Sequence, residues 1–227
     1  LFRLLTMFFP TSTSIITILV VAFATNLFFY GSLDTVNSHA VSFLAAMIFL
    51  SLLLTQKRHN SFLLGLSLAI VGLMRSQDLV YALALIPYWK KLTIKTLVVG
   101  FFIGFSPQLI AWQALYGKFW MSPYLSQYEG FNFFQPHILK VLFSYHNGLF
   151  FWTPILLLGL AGLLVSRFNI WLKVVVLVQI FLISTWSTWW QGASYSGRMF
   201  VSVLPLFALG IGHVFMWLWK KGWRESY

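Results

Sequence analysis

The chain has no cysteine and only four acidic residues among 227. Without thiols, disulfide frameworks and thiolate metal sites are excluded. Charged residues of both signs make up 8% of the chain, against about 25% in a soluble domain. So few charges cannot cover a water-facing surface. P-loop, H-E-x-x-H, G-x-S-x-G and D-x-D patterns are also missing, and no ligand cluster suggests a metal or a cofactor. What the chain has instead is apolar surface: 59% hydrophobic residues, 11 Trp and 24 Phe, with a mean hydropathy of +0.83. A bilayer is the apolar solvent such a composition fits, and many Trp and Tyr suit interfacial anchoring. In that setting the net charge of +11 needs no nucleic acid, because Lys and Arg collect in short clusters between apolar runs as the positive-inside rule requires.

A spanning helix needs about 20 apolar residues. Such runs cover residues 14–30, 39–55, 61–89, 92–116, 148–165, 170–188 and 199–219. The third is interrupted by Arg75-Ser76-Gln77-Asp78. One continuous helix there would put Lys57-Arg58 and Lys90-Lys91-Lys95 on opposite sides of the membrane. A hairpin of two short helices puts both clusters on one side, where Arg3, Arg167, Lys173, Lys220, Lys221 and Arg224 join them. The charge bias selects the hairpin, although at about 1.5 Å per residue its arms are short for a full crossing. The expected fold is therefore all-α. It is a polytopic transmembrane helix bundle of about eight segments, a single domain over 1–227 with both ends cytoplasmic. Outer loops run over 31–38, 75–78, 117–147 and 189–198. The long loop 117–147 carries Pro123, Tyr124, Tyr128, Phe131, Phe133, Phe134 and Pro136, a composition suited to the headgroup region and to a short amphipathic helix. Gly100 and Gly104 form a G-x-x-x-G spacing that permits close helix packing. The chain opens Leu1-Phe2-Arg3-Leu4 without an initiator Met or a signal-peptide pattern, so it is expected to begin inside a longer reading frame.

The scarce polar residues fall mostly on one side. Asp34, Asp78 and Glu129 are assigned to the outer face, with His39, Arg75, His146 and Arg198 at or near helix ends there. Ionisable groups near membrane depth are costly and mark functional sites by default. Each also has a plainer reading. Arg75 and Asp78 are three apart and could neutralise each other at a turn. His39 could bond Ser38 or Asn37, His146-Asn147 could cap a helix, and Glu129 could be solvated. The densest signal is Trp189-Trp190-Gln191-Gly192-Ala193-Ser194-Tyr195-Ser196-Gly197-Arg198. Aromatic faces such as Trp189, Trp190 and Tyr195 stack on sugar rings. Glycines allow a tight turn, and the planar fork of Arg198 suits phosphate. The alternative is an aromatic belt with a snorkelling arginine.

Four stretches carry a family resemblance. They are Asp34-Thr35-Val36-Asn37-Ser38-His39-Ala40, Gly72-Leu73-Met74-Arg75-Ser76-Gln77-Asp78, His146-Asn147-Gly148-Leu149-Phe150-Phe151-Trp152-Thr153-Pro154, and the segment 189–198 leading to Pro205. Their order resembles the later transmembrane half of bacterial GT-C glycosyltransferases of the dolichyl-phosphate-mannose–protein mannosyltransferase-like group. That resemblance implies transfer of a sugar from a polyprenyl-phosphate donor on the outer side of the bacterial plasma membrane, with membrane lipid and donor as partners. It implies donor-phosphate contacts from Arg198 and Arg75. A substrate cavity would be lined by Asp34, His39, Asp78, Glu129, His146, Trp189, Trp190 and Tyr195. The family's catalytic carboxylate lies in a first outer loop, and no residue here matches it, so the general base is expected upstream of this chain. A transporter or flippase-like protein for a lipid-linked substrate is the alternative, since broken helices also mark transport sites. A non-catalytic membrane subunit is a third possibility.

Overall fold

The computed structural model describes residues 1–56, 59–120 and 129–225. Lys57, Arg58, Pro123, Tyr124 and Tyr128 lie outside them, as does the side chain of Arg224. Among the described residues the chain is mostly helical and holds no strand beyond an isolated bridge between Phe131 and Trp186. The helices are α1 (Phe2–Leu5), α2 (Thr11–Phe23), α3 (His39–Thr55), α4 (Ser61–Met74) and α5 (Ile94–Tyr116). After them come α6 (Ile138–Phe143), α7 (Leu149–Trp152), α8 (Ile155–Val165), α9 (Ile170–Thr185) and α10 (Leu204–Glu225). A π-helical turn covers Phe29–Leu33, and 3-10 helices cover Ser76–Lys91 and Arg198–Val203.

The interrupted run breaks where its charges fall. Asn60 opens α4, its side-chain oxygen accepting Leu63 N–H at 3.1 Å. Arg75 ends the helix in an extended conformation, φ −156°, ψ 120°. The second arm is not an α-helix but a 16-residue 3-10 helix, far longer than the usual three or four residues. Its buried residues are Asp78, Val80, Tyr81, Ala84 and Leu85.

Other runs are also cut short. Helix α2 stops at Phe23, seven residues before its run ends, and the chain continues through buried Asn26 into the π turn. Pro154 bars the helical conformation at Thr153, which has φ −132°, ψ 69°, and so divides α7 from α8. The last run enters through the 3-10 helix Arg198–Val203, and Pro205 sits in the first turn of α10, where its missing N–H is harmless.

Packing rests on two glycine seams. A Cβ at Gly65 would lie 2.0 Å from the Leu97 carbonyl oxygen, and one at Gly100 would lie 2.3 Å from that of Phe62, so α4 and α5 touch backbone to backbone. A Cβ at Gly210 would lie 1.8 Å from the Gly159 carbonyl oxygen, which joins α10 to α8 in the same way. Helix α9 packs on the long 3-10 helix, and α3 on α4 and on Arg198–Val203. Tyr30, Phe49, Tyr81, Phe200 and Phe207 are fully buried between these elements. Two helices, Ile94–Tyr116 and Arg198–Lys221, are long and apolar enough to cross a membrane.

Candidate functional site

The segment 189–198 is shaped by polar side chains from three distant parts of the chain. Four of its residues have positive φ: Gln191 (64°), Gly192 (66°), Ser196 (42°) and Gly197 (52°). For Gln191 and Ser196 this is a strained conformation that the surroundings must enforce. Asn147 enforces one half. Its Nδ2 donates to the carbonyls of Trp190 at 2.7 Å and Gly192 at 2.9 Å, and its own carbonyl accepts Gly197 N–H at 2.9 Å. Asn26 holds the other half, its Nδ2 donating to the Ser196 carbonyl. The Tyr30 hydroxyl donates to the Tyr195 carbonyl at 2.8 Å and accepts Tyr195 N–H at 2.9 Å. Gln191 Oε1 accepts Met199 N–H at 2.9 Å, while Gln77 Nε2 donates to the Met199 carbonyl at 3.2 Å. The backbone around Arg198 is thus pinned on both sides.

Within this frame Arg75 and Arg198 meet at one imidazole. Arg75 Nη1 lies 2.8 Å from Nδ1 of buried His39. A guanidinium can only donate, so Nδ1 is the acceptor and the ring proton sits on Nε2; this tautomer is assigned from the hydrogen bonds. Both arginine charges act on the same ring. Tyr30 packs against the imidazole at 4.6 Å between centroids. Gly192 borders the Arg198 guanidinium, since a Cβ there would lie 3.4 Å from Nη2. Among the described residues the Arg198 side chain makes no hydrogen bond, and its Nε is buried without a partner. This is a half-buried cation whose charge, like that of Arg75, acts on His39.

The remaining candidates spread around this pair. Asp34 accepts Asn37 Nδ2 at 2.7 Å and its charge reaches Tyr30. Tyr195 lies between Phe29 and Trp152, at 5.1 and 5.7 Å. Trp190 is exposed, and Trp189 packs on His137 at 5.4 Å beneath the ammonium of Lys140 at 5.3 Å. His146 is exposed and leans on Tyr145 at 4.1 Å. Half-buried Glu129 begins the strip that pairs with the end of α9, where Ser187 N–H donates to the Gly130 carbonyl at 2.8 Å. Asp78 is buried completely, its Oδ1 accepting Gln179 Nε2 at 2.9 Å and the Ser202 hydroxyl at 2.7 Å. It faces the interior, not an outer cavity.

His39 bonds Arg75, not its neighbours Ser38 or Asn37. Asn147 does not cap α7, which begins at Leu149 with Gly148 as its N-cap and no side-chain cap. The residues that sequence reasoning passed over are Asn26, Gln179 and Ser202. Two of them, Asn26 and Gln179, carried a legible signal as lone amides inside apolar runs. Among the described residues no group of His, Asp and Glu could hold a metal ion. What the arrangement can do chemically is bind an anion. No family model matches the chain, and neither does any curated protein or solved structure.

Proposed function

We propose that the chain is the donor-binding part of a polytopic membrane glycosyltransferase, which takes a sugar from a polyprenyl phosphate at the outer face of a bacterial plasma membrane. The observation that carries this reading is the Arg198 guanidinium, with its buried Nε unpartnered and Arg75 on the same imidazole. Both arginine charges act on buried His39, and a bound anion would offset them. A phosphate can take paired N–H bonds from the planar fork. In the reaction the acceptor oxygen bonds the anomeric carbon as the bond from that carbon to the phosphate oxygen breaks. The electron pair leaves with the phosphate, which the two arginines stabilise. The acceptor proton passes to a carboxylate base. Tyr195 and Trp190 offer the sugar its aromatic faces.

The two long apolar helices support the membrane setting, and so does the outward face of α5. There Val98, Val99, Phe102, Ile103 and Ile110 are all exposed, a surface that suits lipid better than water. The 3-10 helix helps the hairpin reach across. Its 16 residues at about 2.0 Å each extend about 32 Å, close to the roughly 30 Å of hydrocarbon. The topology we propose keeps both ends and the loops at Lys91 and Lys173 cytoplasmic. The test supplies a radiolabelled polyprenyl-phosphate sugar to the full-length protein and to residues 1–227. The full-length protein should transfer the sugar, while residues 1–227 should bind the donor without turnover. Absence of donor binding by both would overturn the proposal. Donor movement across proteoliposomes without transfer would favour a flippase, the reading that the break at Arg75 also supports.

A further inference from the structure

Asp78 is fully buried, and the proposed transfer does not use it. Its hydrogen bonds do not balance for an ionised carboxylate. Oδ1 receives two donors, Gln179 Nε2 at 2.9 Å and Ser202 Oγ at 2.7 Å, but Oδ2 receives none. Gln179 Oε1 is likewise buried with no partner. These two orphans are both acceptors, and they belong to groups already joined through their other atoms. A single proton would satisfy both. We propose that Asp78 is a proton-binding site: its carboxyl is neutral, and Oδ2–H donates to Gln179 Oε1, closing a two-bond acid–amide ring. The ring sits where the long 3-10 helix, α9 and the segment Arg198–Val203 meet, and Tyr81 O–H donating to the Ser202 carbonyl at 2.7 Å braces the same junction.

The charged and titratable groups around Asp78 fit this assignment. Arg75 lies within electrostatic range, and Tyr81 is the neighbouring phenol. The groups contributed by α9 and by the last 3-10 helix, Gln179 and Ser202, carry no charge. A neutral Asp78 leaves the Arg75 guanidinium on His39 instead of drawing it inward. That consequence rests on the donor site proposed above, but the proton site itself does not.

The experiment uses the full chain in detergent. With only four acids in the sequence, a protonated-carboxyl infrared band is readily assigned. Wild type should show that band at neutral pH, roughly three pH units above the ordinary aspartate value, and Asp78→Asn should abolish it. Asparagine reproduces the neutral acid, its amide donating to Gln179 Oε1. Asp78→Asn should therefore melt within a few degrees of wild type, while Asp78→Ala should melt well below it. Three results would overturn the site: no such band, an Asp78→Asn variant as damaged as Asp78→Ala, or a melting temperature that follows sodium concentration. None of these readouts depends on donor binding, so the proposed transfer can fail without touching them.

Discussion

Adding one methyl group at Gly210 should loosen the last helix more than any surface change can. The Cβ would sit 1.8 Å from the Gly159 carbonyl oxygen and 2.6 Å from the Leu163 amide nitrogen. Both are backbone atoms, so no side chain can rotate away. Real contacts of this kind do not fall below 3.0 Å, and α8 and α10 must therefore part by more than an ångström. Overpacking of a close contact costs about 1–3 kcal/mol, occasionally more. The parting also disturbs Gly162, whose own Cβ would lie 2.2 Å from the Gly210 carbonyl oxygen. Gly31 is the control, because nothing lies within 4 Å of a Cβ there, and an exposed substitution changes stability by about 0.5 kcal/mol or less. Thermal unfolding in detergent, followed by circular dichroism, compares Gly210→Ala with Gly31→Ala. Equal melting temperatures for the two variants would refute the backbone contact between α8 and α10.

Asn147→Asp replaces an amide donor by an oxygen facing two carbonyls, so both hydrogen bonds are lost, at about 0.5–1.5 kcal/mol each, and repulsion is added. It should lower the melting temperature and weaken donor binding together, and an unchanged melting temperature would show that Asn147 does not hold the 190–197 turn. His59 titrates below its ordinary range because it is partly buried and because Lys91 is near. The unfolded chain then binds more protons than the folded one, so stability should fall as pH drops through about 6.5. His59→Gln should flatten that fall relative to wild type, and identical pH profiles would contradict the assignment. The chain has no native cysteine, so Lys91→Cys and Phe134→Cys report topology cleanly. An impermeant thiol reagent added outside should label position 134 and spare position 91, and the reverse would invert the topology.

Much of the helical framework was legible because an apolar run carries its own length. The run 39–55 coincides with α3, and Arg75 ends α4 where the charges interrupt the run. The kind of helix was not legible. A composition rich in Leu and Ala over 79–86 reads as α, and neither it nor the burial of Asp78, Val80, Tyr81, Ala84 and Leu85 marks a three-residue period. The end of α2 was hidden for a similar reason, since Phe28, Phe29 and Tyr30 extend the apolar run while buried Asn26 turns inward to hold the Ser196 backbone. At the site, residue types pointed to His39, Arg75 and Arg198 separately. Their meeting could not be read, because it depends on contacts between positions 39, 75 and 198 that only the folded packing creates. The same is true of Asp78 and Gln179, whose pairing spans 101 positions and turns an apparent surface acid into an interior one.

The central claim is that Arg198 grips the donor phosphate with its planar fork. In the full-length protein, donor affinity and turnover are compared for wild type, Arg198→Lys and Arg198→Ala at matched expression. Lysine keeps the charge and can snorkel, but it offers only a point charge to a phosphate. Losing one charge-assisted hydrogen bond of about 1.5–3 kcal/mol corresponds to roughly ten- to hundredfold weaker donor use. Both variants should show at least that loss, with the helical circular dichroism unchanged. Wild-type donor use by Arg198→Lys would contradict the claim and leave Arg198 as an anchor of the last helix.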